Sequence, residues 1–136
     1  MINAAIAELR KRNRPVPKPT RLPTATEVDN TEKALGVRFH PDYRQLLLHG
    51  SDVVCGTIEP CTVLGDGNYT DLVEVASTAW KQMGLPRRLL PICEANGDYY
   101  CMNPDGAVEF WSHNGLTNEK WETLADWIMK VWIKGR

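Results

Sequence analysis

The most reactive side chains in this sequence are Cys55, Cys61, Cys93, Cys101 and His113. A cysteine nucleophile needs an activated thiolate and an oriented base, and Cys93 or Cys101 with His113 is a pairing that adjacent strands would bring together. Neither a nucleophile elbow nor a third, orienting residue accompanies it, so a cysteine-dependent hydrolase is kept only as the enzymatic alternative. The cysteines are separated by six, thirty-two and eight positions, without the two-residue gaps of common zinc sites. No metal and no cofactor is therefore expected, and the thiols read as reduced, buried small hydrophobes. Gly65-Asp66-Gly67 lacks the lysine and the following helix of a phosphate loop, and reads as a turn.

The carboxylates offer recognition by charge. The 136-residue chain has a net charge of −1, which conceals +5 over residues 1–21 and −6 over residues 52–110. A globally basic nucleic-acid binder is disfavoured, and the acidic middle would attract a basic partner. The candidate partner-binding residues are Asp66, Asp71, Glu74, Glu94, Asp98, Tyr99, Asp105, Glu109 and Trp111. Taken singly, Asp98 and Asp105 suit turns and Asp71 suits a helix N-terminus. Tyr99 and Tyr100 must point to opposite faces of a strand, as must Phe110 and Trp111. The outward member of each pair, beside acids, would be a binding hot spot. Glu109 and Trp111 share a face and are expected at the surface together. Arg10, Lys11, Arg12 and Arg14 carry no interleaved aromatics and read as a solvated helix end, without direct nucleic-acid contact.

These side chains need elements to hold them. Ile2, Ile6 and Leu9 make a narrow helical stripe, and four prolines between Pro15 and Pro23 make a stiff connector. Thr24 and Glu27 form a capping-box pattern before a helix that Gly36 stops, and Pro41 opens another that ends at Gly50. Tyr43, Leu46 and Leu47 face inward, and the two helices should pack as a pair. Val53–Thr57 and Cys61–Leu64 read as short strands. Leu72, Ala76, Ala79 and Met83 give a helix. Leu90–Glu94, Tyr99–Asn103 and Ala107–Ser112 then form a three-stranded antiparallel meander, turned by Asn96-Gly97 and by Pro104-Asp105-Gly106. A long amphipathic helix starting at Trp121 closes the chain, with Trp121 and Trp132 facing the core. The expectation is an α+β fold: an antiparallel sheet, the C-terminal meander plus short strands, packed against flanking helices.

Length and composition suit one compact domain. Residues 1–21 read as a basic helix and proline-rich connector, and residues 22–136 as a single domain. No hydrophobic run exceeds four residues, too short for a membrane span. The basic residues follow the first apolar stretch instead of preceding it, so no export signal is read and a cytoplasmic location is expected.

Two groups of residues in fixed order carry a resemblance. The first runs through Leu35-Gly36, Pro41-Asp42-Tyr43 and Leu46-Leu47-Leu48, closing on His49-Gly50. The second runs through Leu90-Pro91-Ile92, Asn96-Gly97-Asp98-Tyr99 and Val108-Glu109-Phe110-Trp111-Ser112-His113. Together they resemble the SUKH superfamily, the Smi/Knr-type domain, over about residues 22–134. The resemblance implies an α+β fold without catalytic activity. Its bacterial members are commonly cytoplasmic immunity proteins that bind a cognate toxin domain, often a nuclease, and other members are regulatory protein-binding scaffolds. It implies a protein partner, with no cofactor and no membrane.

Overall fold

The computed structural model describes residues 1–135, except for the side chain of Leu116. Its elements are α1 (Ile2–Lys11), α2 (Ala25–Leu35), α3 (Pro41–Gly50), α4 (Leu72–Lys81), β1 (Leu90–Ala95), β2 (Asp98–Met102), β3 (Val108–Ser112), β4 (Gly115–Trp121) and α5 (Leu124–Trp127). π-Helical turns over Ile128–Ile133 continue α5. The four strands form one antiparallel sheet in the order β1-β2-β3-β4, so the fold is α+β as expected.

Local sequence sets the starts and turns. The Thr24 hydroxyl accepts the Glu27 N–H at 3.2 Å, and the Glu27 carboxylate accepts the Thr24 N–H at 2.9 Å. Arg21 donates to both Glu27 oxygens at 2.7 Å. Hydrogen bonding from Arg21, then from the Thr24 backbone, holds the Glu27 carboxyl down at about 2. A depressed carboxylate stabilises the fold above its unfolded pKa and loses that contribution as pH falls through the folded value. The melting-temperature gap between wild type and Glu27→Gln is therefore expected to be constant above pH 5 and to shrink between about pH 4.5 and 2. A gap that widens on acidification would contradict this. Pro41 sits in the first turn of α3, where its missing N–H has no helical partner to lose. Asn96 and Gly97 both take positive φ, 55° and 89°, the pair of values a two-residue type I′ hairpin requires.

The sheet gains a strand the sequence pattern hides. Residues 115–121 pair with β3, placing Ser112 opposite Gly115 and Val108 opposite Trp121. Trp121 thus belongs to the sheet and not to the final helix. Thr117, Asn118, Glu119 and Lys120 are polar, which suits an edge strand but erases the hydrophobic alternation. The closing helix starts later, with the Thr123 hydroxyl accepting the Asp126 N–H at 3.1 Å. The expected strands Val53–Thr57 and Cys61–Leu64 are only isolated bridges: Cys55 with Ile58, Pro60 with Cys93 and Thr62 with Asp71. Pro60 cannot donate to a ladder, which explains why no continuous strand forms. Met83 lies past the end of α4.

Trp127, Trp132, Tyr43, Leu9 and Leu47 are among the largest fully buried side chains. The Tyr100 ring lies 5.4 Å from Trp127, and Trp127 lies 6.0 Å from Trp132. Helix α1, read from the sequence as a basic helix ahead of residues 22–136, packs into this core through Ala5, Ile6 and Leu9, against α3, α5 and the π turns. The basic side chains at its end stay exposed, as expected: Arg10 pairs with Asp52 at 2.7 Å and Lys11 and Arg12 reach Glu8, while the Arg14 backbone N–H bonds the Val54 carbonyl at 2.8 Å.

Candidate functional site

Two isolated bridges assemble the acidic middle into a surface. Pairing of Pro60 with Cys93 brings Glu59 beside Glu94, and pairing of Thr62 with Asp71 holds the 66–70 loop alongside. Glu59, Tyr69 and Glu94 line one shallow hollow with Cys61, Thr70 and Val75 beneath. Tyr69 is 72 % exposed. Hydrogen bonding to the Glu59 carboxylate, with a smaller contribution from burial, pushes the Tyr69 hydroxyl above its ordinary pKa. Asp66 and Glu74 are exposed close by, both within electrostatic reach of Asp71. Asp66 also accepts the Asn68 N–H at 3.1 Å, which shapes the loop that presents Tyr69.

Of the expected acids, Glu94 lines the hollow beside the exposed Tyr69 ring, while Asp66 and Glu74 flank the neighbouring Asp71 and Asp66 is also within electrostatic reach of Arg21. The remaining expected residues do not join them as free side chains. Asp71 is 5 % exposed, at the N-cap of α4, and burial raises its pKa. Tyr99 and Trp111, expected at the surface, are 3 % and 6 % exposed. They stand opposite each other across β2 and β3 with rings 6.0 Å apart. Alternation does send Tyr99 and Tyr100 to opposite faces, but both faces are covered here. The expectation that Glu109 and Trp111 would be exposed together fails in the same way. Glu109 accepts the Asn103 side-chain amide at 2.8 Å and faces Arg88 at 3.8 Å. Asp98 accepts both the His113 backbone N–H at 3.0 Å and its ring Nδ1 at 2.9 Å. These bonds, the ring one foremost, hold the Asp98 carboxyl below its ordinary value. Asp105 stays exposed at its turn. Glu94 accepts the Gly97 N–H at 2.6 Å, so it supports the hairpin while facing solvent.

Sequence reasoning missed Tyr69 and Glu59. Tyr69 follows the polar turn 65–68, where no helix or strand periodicity exists to bury an aromatic ring. That absence of an inward face was its only signal.

The thiols sit below this surface. Cys93 is 1 % exposed, its Sγ directed at the Glu59 carbonyl at 3.5 Å, and burial pushes its pKa up to about 12. Burial likewise raises Cys61 and Cys101 far above the ordinary thiol range. All three are neutral near pH 7. His113 is engaged by Asp98. Among the described residues, no three of His, Cys, Asp and Glu converge as metal ligands.

Comparison with known proteins places this architecture. A crystal structure of a protein from Pseudomonas syringae pv. tomato superposes with a TM-score of 0.92 at 40 % identity, covering 98 % of this chain and 99 % of that one. No curated protein matches. The family model SUKH_5, described as SMI1-KNR4 cell-wall, matches residues 2–133. The match takes in α1 as well as the segment from residue 22 onward. The chain belongs to this SMI1-KNR4 family of the SUKH superfamily.

Proposed function

We propose that the protein is a non-catalytic immunity protein, which docks noncovalently on a cognate bacterial toxin domain in the cytoplasm and occludes its active site. The observation that carries this reading is Tyr69, a large amphipathic side chain left exposed between Glu59 and Glu94 in a family that includes immunity proteins. Tyrosine is enriched at binding hot spots because it presents a large, rigid apolar area with one polar end. A nucleic-acid-cleaving toxin must hold phosphates against cations, and an acidic rim around an aromatic anchor is complementary to such a cleft. The neutral, buried thiols support a mechanism without a nucleophile. Neither shape nor charge complementarity requires a cofactor. No described helix is long and apolar enough to cross a membrane.

The test is a search of the neighbouring genes for a toxin domain, followed by its co-expression with this protein. Growth should be protected and the two chains should co-purify. The double variant Glu59→Lys/Glu94→Lys is expected to slow association about tenfold at low ionic strength, a deficit that fades as salt screens exposed charge. Unrelieved toxicity with no complex on gel filtration would remove the immunity reading. A salt-independent association rate would remove the acidic docking mechanism alone.

A further inference from the structure

A second concavity of about 460 Å³ opens between the chain leading into α3, the end of α4 and the β2–β3 turn. It has the opposite charge character. Arg38, Arg87 and Arg88 line it and no carboxylate does, although Glu109 lies outside at 3.8 Å from Arg88. Its floor is apolar, built from Phe39, Leu90 and Met102 with Trp80. We propose that this cleft is a second docking site, which receives a partner-protein segment carrying an aspartate or glutamate next to an aromatic or aliphatic side chain.

The walls are held before any ligand arrives, and preorganisation of this kind reduces the ordering cost of binding. The Arg87 guanidinium lies 3.8 Å over the Trp80 ring and donates through Nη2 to the Leu35 carbonyl at 2.9 Å. Trp80 is fixed in turn by its indole N–H, which donates to the Leu89 carbonyl at 2.8 Å. A guanidinium has five N–H donors, so Arg87 retains donors for a carboxylate after this contact. On the other side, His40 Nδ1 accepts the Asp42 N–H at 3.1 Å, which fixes the ring against the β2–β3 turn. A Cβ at Gly106 would come within 2.5 Å of His40 Nε2, so the close approach needs glycine there, and its φ of 91° needs it too. Asn103 is largely committed to the turn: its Oδ1 accepts the Asp105 and Ala107 N–H groups, and one of its two amide hydrogens goes to Glu109. The positive charge that recognises an anion in this cleft comes from the arginines. Arg38 and Arg88 are exposed and stand on the rim. The cleft is independent of the acidic surface around Tyr69, and its test needs no toxin.

The probe is the synthetic peptide acetyl-Glu-Phe-Asp-Leu-amide, titrated into the full-length protein and followed by two-dimensional NMR. The Trp80 indole and the Asn103 side-chain amide report from inside the cleft. Both should shift in a saturable way, and the double variant Arg38→Ala/Arg88→Ala should bind about tenfold more weakly with an unchanged melting temperature. Acetyl-Lys-Phe-Lys-Leu-amide should leave both signals in place. Four results would overturn the proposal: no saturable shift, equal binding of the lysine peptide, full affinity in the arginine variant, or shifts centred on Tyr69. Phenylacetate binding as tightly as the peptide would assign the cleft to small aromatic acids and likewise overturn the peptide occupant.

Discussion

Tyr69→Ala is expected to weaken the complex with the cognate toxin domain by about 2–4 kcal/mol, the range of a central aromatic anchor, or at least thirtyfold in Kd by ~1.4 kcal/mol per decade. The loss should appear mainly as faster dissociation, because short-range packing governs escape whereas charge governs encounter. Folding should be almost untouched. The side chain is 72 % exposed, and exposed substitutions away from special backbone positions change stability by no more than ~0.5 kcal/mol. Tyr69→Phe separates the two parts of the residue: it keeps the ring and removes the hydroxyl. Retained affinity in the phenylalanine variant would place the energy in the apolar ring. Surface plasmon resonance on both variants, beside thermal unfolding, decides the matter. Equal dissociation rates for wild type and Tyr69→Ala would exclude Tyr69 as the anchor.

The anchor escaped sequence reading for the reason that made the helices readable. Thr24 with Glu27, Pro41, and Asn96 with Gly97 act through contacts within three residues, so their type and spacing carry the answer. The acidic surface depends on two long-range bridges, Pro60 with Cys93 and Thr62 with Asp71. Nothing local announces them. Charge counting located the acidic region, and Asp66, Glu74 and Glu94 are exposed there. It could not separate these acids from Asp98 and Glu109, whose partners His113, Asn103 and Arg88 come from other strands and loops.

Tyr99 and Trp111 show a different limit. Period-two alternation assigns them a face but does not say whether that face is covered. Tyr100 meets Trp127 on one side of the sheet, and Tyr99 lies within electrostatic reach of Cys61 on its own side. β4 was hidden by its polarity, and Trp121 happened to fall in step with the helix that follows. The π-helical turns compound this. Bonds from i to i+5 stack residues five apart, and Trp127 with Trp132 are both buried at that spacing, which a search at three and four residues does not seek.

Leu9→Ala tests the role of the first helix. If residues 1–21 were a solvated arm, truncating Leu9 would matter no more than truncating Lys11. Instead Leu9 is 0 % exposed, within the same core cluster as Leu47, Ile128 and Trp132. Removing three buried carbons loses their transfer free energy and leaves a cavity between α1 and α3, elements too constrained by the Arg10–Asp52 pair and the Arg14–Val54 backbone bond to collapse onto it. The expected loss is about 2–5 kcal/mol, the span measured for buried leucines, read as the change in urea midpoint at constant slope. Lys11→Ala, at an exposed position on the same helix, should change stability by less than ~0.5 kcal/mol. Tyr69 and Glu59 share a concavity with Arg14 and with Asp52, the partner of Arg10, but the buried Leu9 side chain does not line it, so Leu9→Ala should leave toxin affinity unchanged in the folded fraction. Equal small effects from both substitutions would return α1 to the status of an arm. A large stability loss with intact binding would make it a structural wall of the domain, as its place within the matched residues 2–133 implies.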